Sequence, residues 1–183
     1  MVTKKSLSAL KMAYISLGAV LIALCSWISV PATVPFTLQT FAVLLVCDLL
    51  GGRWGLVSVL LYLLLGAVGF PVFSGFSGGL GHLLGMTGGY ILGFVLSALV
   101  MALMQRLLPR RRVFTLLSMA LGLLACYAAG SVWFMQVYTQ TKGAISLGAV
   151  LSICVVPYLI PDAIKIVLAC LISERQIGRA SCR

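Results

Sequence analysis

Long apolar runs, separated by short polar or glycine- and proline-rich stretches, set the rhythm of this chain. Six runs stand out, at roughly 8–29, 36–51, 54–70, 86–108, 113–137 and 144–172. Runs of this length, wound as helices rising 1.5 Å per residue, suit a hydrocarbon core about 30 Å thick. The ten-residue alternation of apolar and polar positions that marks a membrane β-barrel is absent. Pro31 and Pro35 mark the first turn, Gly51-Gly52-Arg53 the second, and Gly69 to Gly89 the third. The stretch around Pro109 is the fourth turn, and residues 139–143 are the fifth. The pattern predicts an all-α polytopic membrane protein with six transmembrane helices.

Composition agrees, since 62% of residues are hydrophobic and 9% charged, too little polar surface for a soluble domain of this size. The net charge of +10 does not indicate nucleic-acid binding, because the basic residues sit at the ends of apolar runs. Lys4, Lys5, Lys11, Arg53, Arg106, Arg110, Arg111, Arg112 and Arg175 fall on one side, and Lys142 alone falls on the other. The positive-inside rule then predicts both termini in the cytosol, with the first, third and fifth turns facing outward. The basic N-terminus resembles a signal peptide, but without a small-residue cleavage pattern it is read as a retained first span. Residues 1–176 are expected to form a single six-helix membrane domain. Residues 177–183 break the style of the chain and are set aside as a non-native tail. No GxxxxGK[ST] occurs, so any uphill transport would draw on a partner or an ion gradient. Five of the six cysteines (25, 47, 126, 154 and 170, the sixth being Cys182) lie in apolar spans, and no metal ligand set or disulfide framework is indicated.

Three acidic residues occur in the whole chain, and one of them, Asp162, lies three positions before Lys165 inside the last apolar run. That spacing puts both on one helix face. Each costs about 2.5–3.5 kcal/mol at the bilayer centre, so neither is expected to face lipid. Both lie about 12–17 Å from the cytosolic end of the span, at mid-depth. Pro157 and Pro161 precede them, and Pro161 is expected to break the last helix and restart it as its first residue. Asp162 then sits near a positive helix end in a discontinuous span, the construction of many transporter sites. A structural ion pair is the open alternative. An intramembrane enzyme would need a nucleophile–base pair or a ligand cluster, which these residues do not make.

The third turn carries eight glycines, Phe70, Phe73, Phe76 and Tyr90, and the chain's single histidine, His82. Its glycines can leave amides free for a ligand and its aromatics can cover an apolar ring. A flexible loop with interface aromatics is the open alternative. His82 alone reads as a solvated loop residue. Arg110, Arg111 and Arg112 read as orientation and lipid-phosphate residues. Ala9 with Ala13 and Ala19 with Ala23 form small-residue faces for close helix contact. Asp48 is expected to pair with Arg53.

Four stretches carry a family resemblance: VPFTLQTFAVLL at 34–45, LLYLLLGAVGFPVFSG at 60–75, GGLGHLLGMTGGYILGF at 78–94 and IPDAIKIVLA at 160–169. In order and spacing the chain resembles the BioY family, the biotin-specific substrate-binding (S) subunits of energy-coupling factor (ECF) transporters. It departs where the family often reads Gly-Pro-Thr-Gly-Gly, having Gly85-Met86-Thr87-Gly88-Gly89. The resemblance implies a six-helix subunit in the cytoplasmic membrane of a prokaryote that captures biotin from outside and uses no cofactor. It implies a transmembrane coupling protein and two cytosolic ATPases as partners, so the chain itself is not an enzyme, and a first span whose Ala9, Ala13, Ala19 and Ala23 face meets the coupling protein. A subunit for another small vitamin and a stand-alone biotin transporter remain alternatives. Biotin's ureido N–H groups suit Asp162 as acceptor, while Lys165 serves either the valerate carboxylate or Asp162 itself. Gly78, Gly79, Thr87 and Gly88 are expected to add hydrogen bonds, with Phe73 and Tyr90 packing the rings.

Overall fold

The computed structural model describes the backbone over residues 4–31 and 34–181 and the side chains over 9–31 and 34–176. The side chains of Lys4 and Lys5, residues 182–183 with Cys182, and the side chains of the set-aside tail lie outside the described residues. Among the described residues, eight α-helices follow one another: α1 (Lys4–Trp27), α2 (Gln39–Leu49), α3 (Gly52–Val68), α4 (Leu80–Leu84), α5 (Gly88–Leu107), α6 (Arg112–Lys142), α7 (Leu147–Cys154) and α8 (Leu159–Ser181). The last helix thus continues into the segment set aside from 177 onward.

Among the described residues, four segments are long and apolar enough to cross a membrane: Ala9–Trp27, Gly88–Leu107, Arg112–Lys142 and Leu147–Gln176. Helices α2 and α3 are the shorter members of the six expected spans. Helix α2, at 11 residues, is only about 16 Å long. Its expected first turn is instead extended. Val30 and Val34 each precede a proline, which disfavours helix, and Ser29–Val30 (β1) pairs antiparallel with Phe36–Thr37 (β2).

Helical periodicity sorts the two faces of the bundle. Along α3, Leu60, Leu64 and Val68 are exposed, while Val59, Tyr62 and Leu63 are buried. Along α5, Leu92, Leu96, Leu99, Leu103 and Leu107 are exposed, opposite buried Ile91, Phe94, Ala98 and Met101. Exposed leucine stripes of this kind suit lipid. Helices α5 and α6 approach closely through small residues. An added Cβ at Gly122 would lie 2.8 Å from Ser97 Oγ, and one at Gly93 would lie 3.0 Å from Cys126 Sγ.

The last span breaks at Pro157, and its second helix restarts two residues ahead of Pro161. The chain leaves the helix at Val155 (φ −124°, ψ −54°) and passes through a 3-10 turn at Val156–Tyr158 that holds Pro157. It re-enters helix at Leu159. Pro161 therefore lies within the first turn of α8 and is not its first residue. Its missing amide costs nothing there, because first-turn amides have no intrahelical acceptor.

Candidate functional site

The third turn is folded, and it is anchored to α1. Ser26 Oγ donates to the Val72 carbonyl at 2.5 Å, and the Trp27 indole donates to the Pro71 carbonyl at 2.9 Å. Phe76 has a positive φ of 55°, and its ring stacks on Trp27 at 4.8 Å. Phe73 is fully buried, with its ring edge-on to Tyr62 at 5.6 Å. It sits where a side chain on Gly66 would be, since a Cβ there would lie 2.0 Å from Phe73 Cζ. His82, on α4, stacks on the other side of Phe73 at 5.4 Å.

Beneath this turn lies an open cavity, about 670 Å³ when the solvent at its opening is counted. The first turn lines it with Val34, Pro35, Phe36 and Thr37, α2 with Gln39 and Thr40, and the third turn with Ser74, His82 and Thr87. Tyr90, Ile91 and Phe94 of α5, Leu123, Cys126 and Tyr127 of α6, and Cys154 of α7 form the apolar wall, with Tyr158 beside them. Asp162 and Lys165 of α8 complete it.

Those two charges are buried, 3% and 5% exposed, so neither meets lipid. Lys165 Nζ donates to Asp162 Oδ1 at 2.7 Å and to the Thr37 carbonyl at 2.7 Å. It also sits 4.0 Å above the Phe36 ring, a cation–π geometry. The other carboxylate oxygen, Oδ2, accepts from the Tyr127 hydroxyl at 2.5 Å. Asp162 lies in the first turn of α8, where the helix dipole favours negative charge. Each carboxylate oxygen keeps a lone pair for one further donor. The polar patch is thus net neutral and held by three elements.

A model of the BioY family matches residues 1–180. The chain belongs to the BioY family. A relative described as "Probable biotin transporter BioY" in Pyrococcus horikoshii is 41% identical over 168 residues, 90% of this chain and 96% of that protein. "Biotin transporter BioY" of Thermotoga maritima is 43% identical over 159 residues, 85% of this chain and 88% of that protein. Among solved structures, the S-component for biotin from an ECF-type ABC transporter matches with a TM-score of 0.83. The match covers 97% of this chain and 95% of that one at 22% identity, a likeness of fold. This BioY chain is accordingly an all-α, multi-pass membrane protein of a transporter family.

Not every residue singled out in the BioY sequence reaches the cavity. Asp162, Lys165, Thr87 and Tyr90 line it, and Gly78, Gly79, Gly88 and Phe73 are absent from its lining. The Gly79 amide donates to the Gly66 carbonyl at 2.7 Å and the Gly88 amide to the Gly85 carbonyl at 3.1 Å, so neither is free for a ligand. Gly78 and Gly88 are needed for close approach instead, and Gly79 for its left-handed backbone. A Cβ on Gly88 would lie 1.7 Å from the Leu83 carbonyl oxygen, one on Gly78 2.2 Å from that of Phe70, and Gly79 has φ +90°. Phe73 shapes the mouth by backing His82. On α1, Ala9 and Ala13 are exposed, whereas Ala19 and Ala23 are buried against the bundle. The four alanines therefore do not form one outward face.

Asp48 also has different partners from the expected Arg53. It is 2% exposed, accepts from the Ser173 hydroxyl and from Gln105 Nε2 at 3.1 Å, and lies 3.7 Å from Arg110 Nη2. Sequence reasoning passed over Tyr127, Tyr158, Thr37, Gln39 and Cys154 as wall residues, and it treated His82 as solvated. An aromatic or a cysteine in an apolar run carries no signal that separates a cavity wall from a core.

Proposed function

We propose that the chain is the biotin-binding S subunit of an ECF-type transporter, capturing biotin at the outer face of a prokaryotic cytoplasmic membrane. One observation carries the reading. An Asp162–Lys165–Tyr127 cluster, net neutral and with an acceptor site left on each Asp162 oxygen, forms a polar patch in an otherwise mostly apolar cavity. The names of the relatives support the choice of ligand.

The chemistry follows from the free valences. Biotin's ureido ring offers two N–H donors, and the remaining lone pairs on the Asp162 oxygens accept them. Lys165 and Tyr127 hold the carboxylate oriented before the ligand arrives, which reduces the ordering needed on binding. Ile91, Phe94 and Leu123 supply apolar surface for the bicyclic ring and thioether. Thr87 and Tyr90 stand on the wall as further contacts, while Gly78, Gly79, Gly88 and Phe73 act by shaping the third turn. The chain performs no chemistry on its ligand. Energy for uptake comes, on this reading, from a transmembrane coupling subunit and two cytosolic ATPases, met through the exposed Ala9–Ala13 portion of α1. Residues 1–176 act as one domain, and α8 carries the chain past 176 to Ser181.

The deciding measurement is thermal stabilisation of the purified chain by a panel of vitamins. Biotin alone is expected to shift unfolding. A shift with another vitamin in its place would move the assignment within the ECF superfamily, and no shift with any would remove it. Uptake of labelled biotin by a host lacking ATPase and coupling subunits separates stand-alone from coupled transport. The coupled reading expects none.

A further inference from the structure

We infer that His82 is the anion-recognition residue of this cavity, taking the ligand's carboxylate as an imidazolium so that capture is accompanied by uptake of one proton. The inference rests on the biotin reading above and names the partner of the ligand's acidic end.

Charge accounting sets the requirement. Asp162 and Lys165 are buried and cancel one another. A ligand carboxylate placed against Lys165 would leave two carboxylates on one ammonium, a net buried negative charge that low-dielectric surroundings penalise heavily. Lys165 is already engaged with Asp162, the Thr37 carbonyl and the Phe36 face. Among the residues lining the cavity, the one remaining group able to carry positive charge is His82. It stands on the third turn, whereas Asp162 and Lys165 stand on α8, so a ligand with a polar ring at one end and a carboxylate at the other meets both.

The hydrogen bonds around His82 fix its tautomer. Ser77 Oγ donates its proton to the Ser74 carbonyl at 2.7 Å. The hydroxyl oxygen, 3.1 Å from His82 Nδ1, must therefore accept from Nδ1–H. In the neutral ring Nε2 is then an acceptor, which repels a carboxylate, and it becomes a donor only on protonation. Nε2 has no hydrogen-bond partner among the described residues. Stacking on the buried Phe73 ring holds the imidazole in place. Partial burial also keeps its ordinary basicity down, so the ring is neutral in the empty cavity at neutral pH. The neighbouring side chains Phe73, Ser74 and Ser77 do not titrate. The other titratable groups on the wall are Asp162, Lys165, Tyr90, Tyr127, Tyr158, Cys126 and Cys154, with Tyr62 behind Phe73. Asp162 is neutralised by Lys165, so a bound carboxylate is what raises the proton affinity of His82.

The experiment compares biotin with biotinamide on the full-length chain and on H82Q. For the native chain, biotin affinity should weaken by up to tenfold per pH unit on raising the pH from about 6 to about 8. Calorimetry in two buffers of different ionisation enthalpy should give close to one proton taken up. Biotinamide, which is uncharged, should show neither effect. In H82Q, biotin should lose at least tenfold at pH 6 and its pH slope, while biotinamide binds as to the native chain, which also shows that the variant is folded. Equal losses for both ligands in H82Q, or pH-independent biotin binding by the native chain, would overturn the role of His82 and leave the biotin reading standing. Absence of binding by either ligand to the native chain would overturn both.

Discussion

Asp162 owes its availability as an acceptor to two donors, Lys165 Nζ and the Tyr127 hydroxyl, on different helices. Tyr127→Phe keeps the ring and removes one of them. Losing a hydrogen bond to a charged group is worth about 1.5–3 kcal/mol, so ligand affinity measured by equilibrium titration is expected to fall about 10- to 150-fold. Asp162→Asn alone leaves a buried, uncompensated ammonium, a change that destabilises by about 3–5 kcal/mol. Asp162→Asn with Lys165→Gln removes both charges. It is expected to give a folded membrane protein that no longer binds biotin, read by detergent-resistant folding alongside ligand-induced stabilisation. Retained binding in the double variant would return the pair to a purely structural role. The two charges were legible in the sequence because an ionisable residue in an apolar run has few harmless explanations. Tyr127 was not, because its hydroxyl acquires a partner only when α6 packs beside α8, 35 positions along the chain.

At the level of elements, the third turn shows how glycine content misleads. Eight glycines suggest a loop rich in free amides, yet the amides of Gly79 and Gly88 are engaged, Gly88 is pressed against the Leu83 carbonyl, and Gly79 holds a positive φ. Gly88→Ala is expected to destabilise the chain by about 1–3 kcal/mol or more, because the clash is with the Leu83 carbonyl and not with a movable side chain. Thermal unfolding without ligand would measure it. Gly81→Ala, where an added Cβ meets nothing, is the matched control. The break in the last span was legible as a consequence of Pro157 and Pro161, but its position was not. A proline is tolerated throughout a first turn, so two prolines four apart constrain the restart without fixing it. The short β1–β2 hairpin was likewise absent from the hydropathy pattern, since the apolar residues Val30 and Phe36 suit a span as well as a strand.

Across the whole molecule, separate sets of polar contacts tie the two ends of the bundle. The third turn is bound to α1 through Ser26 and Trp27. At the other end Asp48 gathers Ser173 of α8, Gln105 of α5 and Arg110 ahead of α6, while Gln105 Oε1 accepts from the Gly52 amide at 2.6 Å. Asp48→Ala orphans the fully buried Ser173 hydroxyl and one face of Gln105. It is expected to cost about 1–3 kcal/mol in unfolding free energy, with biotin affinity changed little because the cavity is elsewhere. The all-α, membrane-crossing character of the chain could be read from hydropathy. The partners of Asp48 could not, since Arg53 is close in sequence and Ser173 is 125 positions away.

One contact sets a clock. The Tyr158 hydroxyl donates to the Val34 carbonyl, joining the break in the last span to the first turn, and both residues line the cavity. A bond across the cavity wall that is kept in the filled and the empty states contributes equally to both, so it bears on passage time more than on equilibrium. In Tyr158→Phe, stopped-flow measurements are expected to show faster association and faster release, each by several-fold, with their ratio changed much less than either.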